Sequence, residues 1–140
     1  MGMSREHLYK AKRVNWRELP KDEWWVEGFY VKCRKHHYIL SVYDIDYGFD
    51  ERYEDWIEVI SETVCRYTSL TDKNNRKIFE GDIVLVDGED KYFSVEWDND
   101  TARFIMNCES LIVDFDNYWN YQVEVISNVF DNPELLEEGE

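Results

Sequence analysis

Asp82-Ile83-Val84-Leu85-Val86-Asp87-Gly88 decides the fold class, because it joins a continuous apolar strand to a hairpin signature. Asp-Gly readily takes the positive φ angles that a two-residue hairpin needs. On the returning side Phe93, Val95 and Trp97 fall at every second position, which is strand spacing. Asp98-Asn99-Asp100 then turns the chain into residues 102–106, so three strands in succession predict an antiparallel meander.

Toward the C-terminus, residues 111–115 are a further strand candidate and residues 122–130 close the set. Val123 and Val125 alternate there, but Ile126 and Val129 fall out of phase, which predicts a bulge or corner. Asn132-Pro133-Glu134 starts one helical turn carrying Leu135 and Leu136. Toward the N-terminus, Glu80-Gly81-Asp82 and Thr71-Asp72-Lys73-Asn74-Asn75-Arg76 read as turns. Asp and Asn hydrogen-bond their own backbone and tolerate left-handed dihedrals. Residues 56–60 and 63–67 are predicted strands joined tightly through Ser61-Glu62, and residues 44–55 form a long acidic loop bearing Tyr47, Phe49 and Tyr53. Residues 24–33 carry Trp25, Phe29, Val31 and Cys33 on one face and Trp24, Val26 and Tyr30 on the other. A strand apolar on both faces is expected to lie centrally or at an interface, with residues 37–43 returning beside it. Residues 8–14 are the first strand, ended by Asn15 and the Pro20-Lys21-Asp22 turn signal.

Together these segments predict a mainly β chain. An N-terminal antiparallel β segment with its acidic aromatic loop spans 1–59. An SH3-like small barrel or roll, ending in the short helical turn, spans 60–136, and a disordered acidic tail spans 137–140.

A chain of 140 residues with six Trp, ten Tyr and seven Phe can bury roughly two thirds of its unfolded surface without a disulfide or metal. The formal net charge is −15, unevenly spread: residues 1–35 hold nine Lys/Arg against five Asp/Glu, whereas residues 36–140 hold seven against twenty-six. That field repels nucleic-acid phosphates and anionic membranes, so direct binding to either is not expected. Cys33, Cys65 and Cys108 are an odd, widely spaced set, which fits a reduced compartment. No apolar run is long enough to span a membrane and no leader is visible, so the expected location is the cytoplasm of the cell that makes it.

Three stretches carry a resemblance. They are Tyr9-Lys10-Ala11-Lys12-Arg13 with Glu23-Trp24-Trp25-Val26-Glu27-Gly28-Phe29, then the run from Tyr67-Thr68-Ser69-Leu70-Thr71-Asp72 through Phe79-Glu80-Gly81-Asp82-Ile83-Val84, and Val125-Ile126-Ser127-Asn128-Val129-Phe130-Asp131-Asn132-Pro133-Glu134-Leu135-Leu136. In this order they resemble the YopX family of phage and prophage proteins. The family usually carries Gly where this chain has Ala11, Ser69, Asn75 and Ser127. Asn75 can still occupy a left-handed turn position, the others less readily. The resemblance implies an SH3-like architecture and a phage or prophage setting, and it assigns no catalytic residue or ligand. The central run also has a purely structural explanation, since its turns set strand register.

The remaining chemistry is sparse. His36 and His37 face opposite sides of a strand and cannot share a metal. The acidic turns lack EF-hand spacing, and no phosphate loop or nucleophile motif is present. No catalytic residue, metal ligand or cofactor is therefore assigned. The candidate binding residues are the aromatics Tyr47, Phe49, Tyr53 and Trp56, with Trp119 and Tyr121, although packing beneath a long loop would also explain them. The leading expectation is an accessory protein that binds a host or phage protein, as a possible homo-oligomer. The alternatives are an acidic nucleic-acid mimic inhibiting a host DNA-binding enzyme, and an enzyme of unrecognised class.

Overall fold

The computed structural model describes residues 8–41, 56–109, 111–115 and 120–137. It is mainly β, with eleven strands among the described residues, two antiparallel sheets and only short 3-10 turns between them. The chain divides into two compact units, Met1–Tyr67 and Thr68–Glu140. The acidic loop expected over residues 44–55 and the tail beyond Glu137 lie outside the described residues.

The first unit contains β1 (Tyr9–Lys12), β2 (Trp25–Cys33), β3 (His36–Ser41), β4 (Trp56–Glu58) and the start of β5 (Cys65–Thr71), in the order β4-β3-β2-β1-β5. The strand apolar on both faces, β2, is indeed flanked on both sides: Ala11 faces Val26 across one ladder and Leu40 faces Phe29 across the other. Ala11, Val26, Ile39 and Val59 are buried together, and Tyr9, Tyr30, Ile57 and Val64 pack against them.

Lys12 is 6% exposed, which is unusual for a cation unless its charge is compensated. Its backbone N–H donates to the Thr63 hydroxyl at 2.8 Å. Its ammonium sits 3.8 Å from the Trp16 ring centre and 4.6 Å from that of Trp24, and these two indoles meet edge-on at 4.8 Å. The ring faces thus replace part of the water that burial removes. Lys12→Met keeps the apolar stem and deletes the charge, so chemical denaturation of this variant should show a loss of about 1–2 kcal/mol.

The second unit contains the end of β5, then β6 (Lys77–Phe79), β7 (Asp82–Val86), β8 (Tyr92–Asp98), β9 (Arg103–Cys108), β10 (Leu111–Asp114) and β11 (Val123–Asn128). Strands β7 to β9 form the expected meander, β10 extends it by one strand, and β11 returns beside β7, giving the order β10-β9-β8-β7-β11. The register of β11 slips between Val125 and Ser127, where the alternation of apolar residues predicted a bulge. The helical turn after Asn132 is a 3-10 helix, Pro133–Leu136. Ile78, Val84, Val86, Phe93, Val95, Met106, Cys108 and Val123 form the buried core, with Val113, Phe115 and Val125 packed against it. Of the two expected forms, barrel or roll, the roll is found. The edge strands β10 and β11 pair only with β9 and β7 among the described residues, so the sheet does not close on itself.

Turn chemistry pins this unit. Gly81 takes φ +89, its N–H bonds the Val95 carbonyl at 2.8 Å, and its carbonyl accepts from the Val129 N–H at 2.8 Å. Asn75 adopts the left-handed φ of +64 that its side chain tolerates. Ser69 and Ala102 also lie there, at φ +73 and +55, where a Cβ is disfavoured. Ser69 thus holds a backbone form that glycine adopts more readily, whereas Ala11 and Ser127 lie in β1 and β11 without a positive φ. Ser69→Gly and Ala102→Gly should each raise stability by about 0.5–1 kcal/mol. The relieved strain of roughly 1–2 kcal/mol exceeds glycine's extra unfolded-state entropy. Equal or lower midpoints in a urea titration would contradict this.

Candidate functional site

Period-two alternation carries the inner face of β8 from Val95 to Trp97, and that of β9 from Met106 to Phe104. Val95 and Met106 are buried in the core, while Trp97 and Phe104 lie half-buried at its end. There they face each other across the ladder and meet edge-on at 5.0 Å. With Leu70, Phe115, Thr68, Ala102, Arg103 and Asp114 they line a cleft of about 320 Å³. All of these residues belong to the second unit.

Each wall is fixed locally. The Thr68 hydroxyl donates to the Ile78 carbonyl at 2.7 Å and accepts from the Leu70 N–H at 3.1 Å, which holds Leu70 at the rim, 40% exposed. The Trp97 indole N–H donates to Asn99 Oδ1 at 2.9 Å. Asp98 ties the following hairpin by accepting from the Asp100 N–H at 3.1 Å and the Thr101 hydroxyl at 2.8 Å. Arg103 donates to Asp114 at 2.9 Å, placing a half-exposed ion pair beside the aromatic floor. Of the four non-glycine residues at positive φ, two adjoin this cleft, Ser69 between Thr68 and Leu70 and Ala102 in the lining itself, whereas Arg34 and Asn75 sit in turns elsewhere. Such strain persists where surrounding structure over-determines it, often at binding sites. The volume is at the lower end for ligand sites, and the lining suits one large apolar side chain with charge at its edge.

The aromatics expected to form a surface fare differently. Tyr47, Phe49, Tyr53 and Trp119 lie outside the described residues. Trp56 is half-buried on β4 and meets Tyr38 edge-on at 5.7 Å. Tyr121 is 62% exposed in the second unit, within the 3-10 turn Asn120–Gln122. The cleft residues Trp97, Phe104 and Phe115 were legible only as strand positions, and Leu70 fell between a predicted strand and a turn, because alternation marks a face and does not say where that face is left uncovered.

Other polar groups are mutually engaged. His36 and His37 take different partners, as alternation requires: Glu58 at 2.7 Å and the Tyr30 hydroxyl at 2.6 Å. In a smaller cavity of about 200 Å³ the Ser94 hydroxyl donates to Glu96 at 2.6 Å, and the Asn107 amide donates to the same carboxylate. Cys33 is exposed, Cys65 and Cys108 are buried, and all three are free thiols. No group of three or more His, Cys, Asp or Glu is placed to hold a metal among the described residues. Glu134 is held below the ordinary carboxylate range, first by a hydrogen bond from the Asn132 side chain and then by its own backbone N–H.

The chain matches the family model described as YopX protein over residues 19–137. No curated protein matches it. Among solved structures it is similar to protein EF1440 from Enterococcus faecalis, with 29% identity, 58% of this chain and 67% of that chain covered, and a TM-score of 0.42. With a match that runs from residue 19, ahead of β2, to residue 137, beyond the last 3-10 turn, this chain belongs to the YopX family.

Proposed function

We propose that this chain is a phage-type accessory protein of the host cytoplasm that acts by binding a protein partner. Its second unit serves as an SH3-like recognition roll. The observation that carries this reading is the aromatic cleft of Leu70, Trp97, Phe104 and Phe115, with its ion-paired rim and strained walls. Charge narrows the partner. Residues 68–140 hold five Lys/Arg against eighteen Asp/Glu, a net of −13, so a segment carrying lysine or arginine around an apolar anchor is attracted. Three free thiols suit a reducing compartment, and no helix of the described residues is long and apolar enough to cross a membrane.

Selection from a displayed random-peptide library on the full chain tests the reading. Enriched peptides should combine an aromatic or aliphatic anchor with cationic residues, and should weaken at high salt. Leu70→Glu places a carboxylate at the rim of the cleft, and peptide affinity should fall at least about tenfold, on the order of 1.4 kcal/mol. Peptides that bind this variant and the parent equally would refute the site.

A further inference from the structure

We propose that the partner enters as an extended strand added to the free edge of β10, with one apolar side chain seated in the cleft; this rests on the cleft reading above. Strand β10 ends its sheet, and all four of its residues face β9, from Leu111 opposite Cys108 to Asp114 opposite Ile105. No described strand pairs with its other side. Such an edge offers a row of backbone donors and acceptors, which proteins usually guard with lysine, proline or a bulge. Here the strand reads Leu111-Ile112-Val113-Asp114: it is short and ends on the charged Asp114, but it carries no lysine, proline or bulge and its first three residues are apolar. Ile112 is 63% exposed and Leu111 39%.

The edge also leads into the cleft, since Asp114 and Phe115, the last residue of β10 and the one after it, line it. An added strand therefore meets two features in one pass. Its backbone continues the ladder and its end residue reaches Trp97 and Phe104. Charge separates a foreign segment from a second copy. Two copies joined at this edge would bring two units of net charge −13 together, whereas a strand with lysine or arginine at alternate positions is drawn in.

A backbone N-methyl scan of a library-selected peptide, measured against the full chain, tests the proposal. Affinity should fall about tenfold or more when methylation hits every second residue, and stay level at the residues between. Ile112→Lys should weaken the peptide similarly while leaving the melting temperature unchanged, because this side chain is mostly exposed. Loss of binding in Leu70→Glu without any alternation in the scan overturns strand addition and leaves the cleft standing. Alternation with full binding by Leu70→Glu overturns the cleft and this seating with it. Failure of the parent chain to select any peptide overturns both. A dimer of the unliganded chain that Ile112→Lys disperses, seen by sedimentation, would make a second copy the occupant and overturn the foreign strand.

Discussion

Gly28→Ala is expected to lose roughly 3 kcal/mol or more, enough to unfold much of the first unit near physiological temperature. Gly28 lies within β2, opposite Tyr9 on one side and Ser41 on the other. A Cβ built there would stand 1.9 Å from the Leu40 carbonyl oxygen and 2.7 Å from its carbonyl carbon. Both are backbone atoms of the paired strand, so no rotamer change relieves the overlap and the ladder itself must open. For a unit of this size the midpoint should fall on the order of 12 °C or more by near-ultraviolet circular dichroism of the full chain. A fall of only a degree or two would mean that β2 and β3 are not paired as described.

Asp72→Ala should cost about 3–5 kcal/mol, located in the second unit. Asp72 is fully buried, and its carboxylate is divided between two tasks. Oδ1 accepts from the N–H groups of Asn74 at 2.8 Å and Arg76 at 2.9 Å, closing the turn. Oδ2 accepts from the Val125 N–H at 2.8 Å, next to the bulge of β11. Around this tie the Lys73 N–H bonds the Val123 carbonyl at 2.9 Å, and the Arg76 guanidinium bonds the Val125 carbonyl at 3.2 Å. Alanine leaves three backbone donors without their acceptor, each at about 1–3 kcal/mol, and partial access to water keeps the total below their sum. Asp72→Asn retains one acceptor oxygen but turns an amide N–H toward a donor, so it should fall between alanine and the parent. Amide exchange at Val125 reports the site directly, and unchanged protection there in Asp72→Ala would contradict the assignment.

These two residues show what the sequence made legible and what it hid. The turn around Asp72 follows from local chemistry, and its short-range bonds to Asn74 and Arg76 are the expected ones. Its bond to Val125 joins residues far apart in sequence, which no local pattern encodes. The meander, the central place of β2 and the slip in β11 could be read because alternation records which face meets the core. Strand β6 went unread because Lys77-Ile78-Phe79 is too short to show a period between two turns. Likewise β5 runs on to Thr71 through polar Thr68 and Ser69, which mask the pattern. The cleft was hidden for a related reason. Trp97 and Phe104 carry the same signal as Val95 and Met106, and alternation does not record that they stand at the hairpin end of β8 and β9, where burial is only partial. Of the aromatics singled out from sequence, only Trp56 and Tyr121 fall among the described residues, and they belong to different units.

Partner binding as proposed requires that a segment of the partner enter the second unit at the cleft. Titration of the ¹⁵N-labelled chain with a library-selected peptide examines it most directly, because the Trp97 indole N–H, bonded to Asn99, is a reporter inside the site. That resonance should move to saturation together with the amides of Leu70, Phe104 and Ile112, while Lys12, Trp16 and Trp24 stay in place. A saturated complex in which the Trp97 indole is unmoved, or in which the shifts gather on residues 8–41, would contradict the account.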